Sequence, residues 1–247
     1  MSMSQLVGIL PPGVENLTAA DLVARVAERL GPRVALASSL SAEDQVLTDM
    51  LCRAVPGARV FTLDTGRLPQ ETYDTIAATN ERYGIRIKML FPGRHDVEEL
   101  VAEAGPNLFY ASVAARKRCC HVRKVVPLQR ELATLDAWIT GLRREQAVTR
   151  RGVQSAEWDE ANGLMKLNPL ANWTEEHVWA YIREHGVPYN ALHDQGYRSI
   201  GCAPCTRPIG KDEDVRAGRW WWEEPAHKEC GLHVGRGKLA KAAQEPA

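Results

Sequence analysis

The sequence predicts an α/β fold, a mostly parallel twisted sheet flanked by helices, and two observations carry that reading. Short apolar runs alternate with stretches of helical periodicity, at the spacing that parallel strands and their crossover helices require. The length, 247 residues, fits one large domain or a domain with an appended segment, long enough to bury a substantial core.

The first element is a helix from about residue 18 to 30, where Leu22, Val26 and Leu30 share a face and Gly31-Pro32 ends the pattern. VALASS (34–39) follows as a strand, SAEDQVLTDML as a helix, and ARVFTLDTG as the next strand region. A helix from Pro69 to Tyr83 leads to the strand IRIKML, and a further helical stretch covers 97–104. A helix containing Cys119 and Cys120 precedes the strand AWITGL (137–142), which makes at least four parallel strands. GVQSAEWDE and LMKLNPL read as a small hairpin. Thr174 caps a helix to about Glu184, with Glu176 and His177 near the capping-box position. From Lys211 onward the composition changes to charges, glycine, three consecutive tryptophans and ECGLH. The expected division is therefore a binding domain over 1–210 and a mobile C-terminal segment over 211–247. No internal repeat or heptad pattern is present.

Lysine plus arginine equals aspartate plus glutamate at 31 each, so the chain lacks the overall basic footprint of a non-specific nucleic-acid binder, and any anion site must be local. The amino-terminal MSMSQLVGILPPG has no basic flank, and its apolar run is too short for a signal peptide or a membrane span. A cytoplasmic protein without membrane or nucleic-acid partners is expected; the sequence leaves a homo-oligomer open.

Six cysteines in a reducing compartment point to metal binding or thiol chemistry. Cys119 and Cys120 are adjacent, Cys202 and Cys205 form a CxxC, and Cys52 and Cys230 stand alone. Two thiolate pairs make a four-sulfur site suited to zinc or to a 4Fe-4S cluster. Adjacent cysteines fit zinc knuckles poorly, so spacing favours iron-sulfur by roughly two to one. Cys52, in an apolar helical pattern, reads as a small buried hydrophobe. Cys230 has Lys228 and His233 nearby, either of which favours a thiolate, although a lone cysteine is equally well an incidental surface thiol. Lys124 follows Cys120 by four residues and shares its side of a helix. Ser38, Ser39, Ser41, Glu43 and Asp44 occupy the first strand–helix junction, a place for a phosphate or simply a helix cap. TLDTG (62–66) and TGLRRE (140–145) occupy the next strand ends.

CCHVRK (119–124), CAPCTRPIG (202–210) and ECGLH (229–233), together with SSLSAEDQVL, TLDTG, ITGLRREQ and NPLANWTEEHVW, resemble the assimilatory adenylyl-sulfate (APS) reductases. These are the iron-sulfur branch of the sulfonucleotide (APS/PAPS) reductase family, and the resemblance spans nearly the whole chain. It implies an adenine nucleotide alpha hydrolase-like (ATP pyrophosphatase-like) fold. It further implies reduction of APS to sulfite and AMP for cysteine biosynthesis, with thioredoxin or a glutaredoxin-like protein as donor. Cys119, Cys120, Cys202 and Cys205 would hold one 4Fe-4S cluster, and Cys230 would attack the sulfate sulfur to form a thiosulfonate. The resemblance carries over Lys124, Arg216, Arg219 and His233 as phosphosulfate contacts. Leu63, Thr65 and Gly141, with Arg143 or Arg144 nearby, would meet adenine and ribose, beside Ser38, Ser39, Ser41 and Asp44.

One departure is local: many relatives have glycine where Ser41 stands, and the pyrophosphatase cousins carry an SGGxDS loop. Neither glycine is present, which argues against ATP cleavage. The rival substrate is the 3'-phosphorylated nucleotide PAPS; relatives restricted to it generally lack the cluster cysteines, but some cluster-bearing relatives accept both, so a PAPS reductase or a dual APS/PAPS reductase is the alternative. More distant rivals are an ATP-dependent thiolation enzyme and a nucleotide sensor with structural zinc. Trp220 to Trp222 read as a donor-docking or lid surface, or as packing anchors.

Overall fold

The structure is a computed structural model that describes residues 10, 13–147, 150–224, 228 and 232. Helix α1 (Ala19–Leu30) begins where the Thr18 hydroxyl accepts from the Asp21 amide at 3.1 Å, and it buries Leu22, Val23, Val26 and Ala27. Strand β1 (Val34–Ala37), helix α2 (Ala42–Ala54), strand β2 (Val60–Leu63), helix α3 (Gln70–Tyr83) and strand β3 (Lys88–Leu90) follow the expected alternation. β4 (Ala137–Ile139) returns to the other side of β1, so the sheet order is β3-β2-β1-β4-β6-β5. The β1–β2, β2–β3, β1–β4 and β4–β6 pairs are all parallel.

The expected hairpin, β5 (Ala156–Asp159) with β6 (Leu164–Leu167), is antiparallel, and β6 also joins the sheet alongside β4. Burial fits this placement. All four residues of β6 are buried, so the strand needs cover on both faces, whereas β5 is half-buried at the edge.

Side chains alternate across β1: Val34 and Leu36 join the core under α1, α2 and α7 (Glu175–His185). Ala35 faces the opposite core with Phe61, Leu128, Leu132 and Trp138. In α7 the capping box is closed by His177: its amide donates to the Thr174 hydroxyl, and its Nδ1 accepts from the Thr174 amide.

Helix α4 (Arg94–Ala104) leads to α5 (Val113–Cys120), which ends on the two adjacent cysteines. A wide π turn (His121–Val125) then joins α5 to α6 (Val126–Leu132). Pro127 accounts for it: with no N–H, and with a ring that crowds the carbonyl of Arg123 four residues back, it cannot continue a regular α-ladder.

Within residues 211–224, the start of the stretch expected to be mobile, Gly218–Trp220 and Glu223 are buried while most of the rest is exposed or half-buried. Thr206 and Arg219 form an antiparallel bridge, the Trp220 amide donates to the Cys205 carbonyl at 3.2 Å, and Trp220 is 1 % exposed. No described helix is long and apolar enough to cross a membrane.

Leu36 sits with 0 % exposure at the centre of the sheet. Leu36→Ala should cost about 2–5 kcal/mol in urea unfolding, with an unchanged denaturant slope.

Candidate active site

The strand order reverses between β1 and β4, so the loops leaving their carboxyl ends diverge and open a crevice. A cavity of about 210 Å³ lies there. Its first wall is the turn from β1 to α2. The Ser38 hydroxyl accepts from the Leu40 amide at 3.1 Å, and Leu40 takes the left-handed conformation, φ 61°, with its side chain fully buried. Ser39 donates twice to Asp44 Oδ2, from its amide and its hydroxyl, each at 2.6 Å. Asp44 thus reaches back from the first turn of α2 to tie the loop down, while Ser41 makes no side-chain cap bond.

The second wall leaves β4 at Gly141. A Cβ there would lie 2.3 Å from Asp44 Oδ1, so only glycine lets the two loops approach this closely. Burial pushes the Asp44 carboxyl up to about 6, although hydrogen bonds from Ser39 and from the Gly141 amide act the other way.

Of the residues expected at a substrate, Ser38, Ser39, Ser41, Asp44, Leu63, Thr65, Lys124, Gly141, Arg216 and Arg219 line this cavity. Arg143 is not among its lining residues. Its buried guanidinium pairs with Glu43 at 2.8 Å, and Glu43 itself borders the cavity, so Arg143 braces the wall from behind. Arg144 bonds to the Val153 carbonyl and to Asn172. Sequence reasoning missed Gln146, Arg150, Arg198, Ser199 and Ile200, which also border the cavity. Residues 198–200 stand directly before Gly201 and the CxxC, and that adjacency is the signal that points to them. Cys230 and His233 lie outside the described residues. Leu232 borders the cavity and packs against the core face that holds Trp138, while the Lys228 carbonyl accepts from Arg216 at 2.8 Å.

A second, smaller cavity of about 20 Å³ adjoins the first. Cys119, Cys120, Cys202 and Cys205 all border it and all are buried. Arg67, Arg116, Arg123 and Lys124 surround the thiols, and Lys124 and Trp220 border both cavities. Cys120 and Lys124 therefore border the same cavity, with Lys124 inside the π turn that follows Cys120. Burial raises the Cys119 thiol, and burial with neighbouring Cys202 pushes Cys205 up to about 12. Cys202 goes the other way: burial opposes ionisation, but Lys124, the Thr65 hydroxyl at 3.2 Å, Arg219 and Arg123 together lower it. Among the described residues, no three Cys, His, Asp or Glu side chains are gathered tightly enough to hold a metal ion as they stand. Arg123 Nε and Trp220 Nε1 are buried donors without an acceptor among the described residues, and both side chains border the thiols.

A family model described as the phosphoadenosine phosphosulfate reductase domain matches residues 33–208. The chain belongs to the APS/PAPS reductase family. Curated members at high identity are named adenosine 5'-phosphosulfate reductase. The one from Allochromatium vinosum is 55 % identical over 215 residues, 87 % of this chain and 84 % of that relative. The one from Burkholderia cepacia is 54 % identical over 222 residues, 90 % and 87 % of the two chains. The crystal structure of phosphoadenylyl-sulfate (PAPS) reductase from Candida auris, a phosphate complex, superposes with TM-score 0.69 at 28 % identity, covering 84 % of this chain and 98 % of that one. An FMN adenylyltransferase from Candida glabrata, at 12 % identity and TM-score 0.54, shares the fold alone. The adenine nucleotide alpha hydrolase-like architecture of this reductase family is thus the one observed.

The raised Asp44 value fixes a pH effect. The folded chain holds this proton up to about pH 6 and the unfolded chain only to about 3.8, so a penalty on folding grows across that window as pH rises. Asp44→Asn removes it. Relative to the parent protein, its melting temperature should climb between about pH 4 and pH 6 and then level off.

Proposed function

We propose that this chain reduces adenylyl sulfate to sulfite and AMP in sulfate assimilation. The observation that carries the reading is the shared wall: a cation-lined crevice at the strand ends adjoins four buried thiols through Lys124. The names of the relatives at 54–55 % identity point to the same substrate.

In this reading the nucleotide lies across the carboxyl ends of β1, β2 and β4, with its phosphate toward the hydroxyls of Ser38, Ser39 and Ser41 and the N-terminus of α2. Leu63, Thr65 and Gly141 flank the adenosine, and Arg143 acts indirectly by holding Glu43. Lys124, Arg216, Arg219 and His233 face the phosphosulfate and offset the charge that develops on the departing AMP. The Cys230 thiolate attacks sulfur; the sulfur–oxygen bond to AMP breaks and its electron pair leaves on the phosphate. A thiolate of thioredoxin, or of a glutaredoxin-like donor, then attacks Cys230 and expels sulfite. The donor's second thiol resolves the mixed disulfide, so two electrons pass from dithiol to sulfur. Cys230, in the C-terminal segment, must therefore reach both substrate and donor. A cytoplasmic location keeps these thiols reduced.

The donor set fits one 4Fe-4S cluster. Four soft ligands converge on one cavity, cations surround it to offset thiolate charge, and two buried N–H groups stand ready for sulfur acceptors. Cys119, Cys120, Cys202 and Cys205 would hold it. When bound, it supplies an electrostatic setting for Lys124, the electrons coming from thiols.

The test is sulfite release from anaerobically purified protein with reduced thioredoxin, comparing APS and PAPS at equal concentration. APS should predominate; a far faster reaction with PAPS would overturn the substrate assignment, and no sulfite from either would overturn the reaction. Cys230→Ser should abolish sulfite release at unchanged iron and acid-labile sulfide content, and Lys124→Ala should lower kcat/KM roughly a hundredfold. Stoichiometric zinc without iron or sulfide would overturn the cluster.

A further inference from the structure

Trp220 occupies a place that packing alone does not explain. Its backbone lies at φ 42°, a region that a bulky side chain rarely adopts, yet the residue is fully buried. Two guanidinium groups stack on its indole: Arg116 Cζ lies 4.6 Å from the ring centroid and Arg219 Cζ 4.7 Å. Neither arginine is loose. Arg116 forms a two-bond ion pair with Glu223 at 2.6 and 2.8 Å, both side chains out of water. Arg219 Nη1 donates to the Ile200 carbonyl at 3.1 Å, and Gly201 leaves the notch its guanidinium fills, since a Cβ there would lie 2.4 Å from Nη2.

The three side chains span the two cavities. Arg116 borders the thiols, Arg219 borders the nucleotide crevice, and Trp220 borders both. A long arginine facing a crevice ordinarily samples many rotamers, and ordering it costs affinity. Here one face of the guanidinium rests on an immobilised indole and the bare backbone of Gly201 leaves it room.

We infer that Trp220 is a positioning residue: anchored from the thiol side by Arg116 and Glu223, it holds the Arg219 guanidinium in place for the anionic group of the nucleotide. The inference rests on the proposed reading for the identity of that anion. Gly201 is the second half of the same device.

The experiment measures nucleotide affinity by calorimetry in the cluster-loaded Cys230→Ser protein, with APS and, separately, with AMP. A desolvated cation–π contact of this kind corresponds to roughly a tenfold to thirtyfold change in affinity. Trp220→Leu should weaken APS binding by about that factor, while Trp220→Phe, which keeps a π face, should stay within roughly threefold of the parent. Gly201→Ala, which leaves the tryptophan untouched, should weaken binding by a similar factor. In the Arg219→Ala background neither Trp220→Leu nor Gly201→Ala should weaken binding further, because both act through Arg219. Unchanged affinity in Trp220→Leu and Gly201→Ala, or losses that add to that of Arg219→Ala, would overturn the inference. If Trp220→Leu fails to fold, Gly201→Ala decides. AMP affinity tests the clamp on the phosphate alone, so absence of sulfite in the turnover assay sinks the substrate reading without deciding this one.

Discussion

Arg116 and Glu223 stand 107 residues apart in the chain and meet through two hydrogen bonds in a setting with almost no water. Either charge alone would be untenable there: removing one partner of such a pair costs about 3–5 kcal/mol, because the other stays buried and unmatched. The pair therefore obliges the end of the described chain to return to α5, beside the two adjacent cysteines. Trp220 is drawn under the CxxC loop by that return, and its backbone amide bonds to Cys205. The small cavity among the thiols is closed by a segment held in place by this contact.

The larger crevice depends on a different restriction, the close approach of two loops at the reversal of strand order. Asp44 stands between them, taking hydrogen bonds from Ser39 on one side and Gly141 on the other. The sheet sets where the crevice opens, and this carboxyl sets how wide. Lys124 and Trp220 stand between this crevice and the sulfur-lined one and border both.

Much of this was legible in the residues. Apolar runs of four to six residues announced the strands, and the cysteine motifs announced which thiols would meet, because each pair is fixed by its own short spacing. Pairing at a distance was less legible. The hairpin that includes Leu164–Leu167 was legible, but not its pairing with β4, because nothing local names β4 as its neighbour. The resemblance put Arg143 or Arg144 near the nucleotide, and local sequence could not show that the Arg143 guanidinium pairs with Glu43, on α2. The stretch from Lys211 looked mobile from its charge, yet Arg219, Trp220 and Glu223 are buried because partners elsewhere in the chain neutralise or stack on them. The π turn after Cys120 follows from Pro127, a signal present in the sequence that the expectation of a helix around Cys119 and Cys120 did not use.

Leu40 gives the crevice one more property. Phosphate-binding turns commonly rely on glycine for left-handed backbone, and here a leucine accepts that conformation, at a cost of about 1–2 kcal/mol, and is kept in it by complete burial of its side chain. A turn pinned in this way is preorganised: it has little freedom left to lose when a nucleotide arrives, so less of the binding free energy goes into ordering it. Glycine at this position would relax the backbone and at the same time restore the entropy that the buried leucine has already removed. If the nucleotide binds as proposed, local strain and a low ordering cost are, at this turn, two descriptions of one side chain.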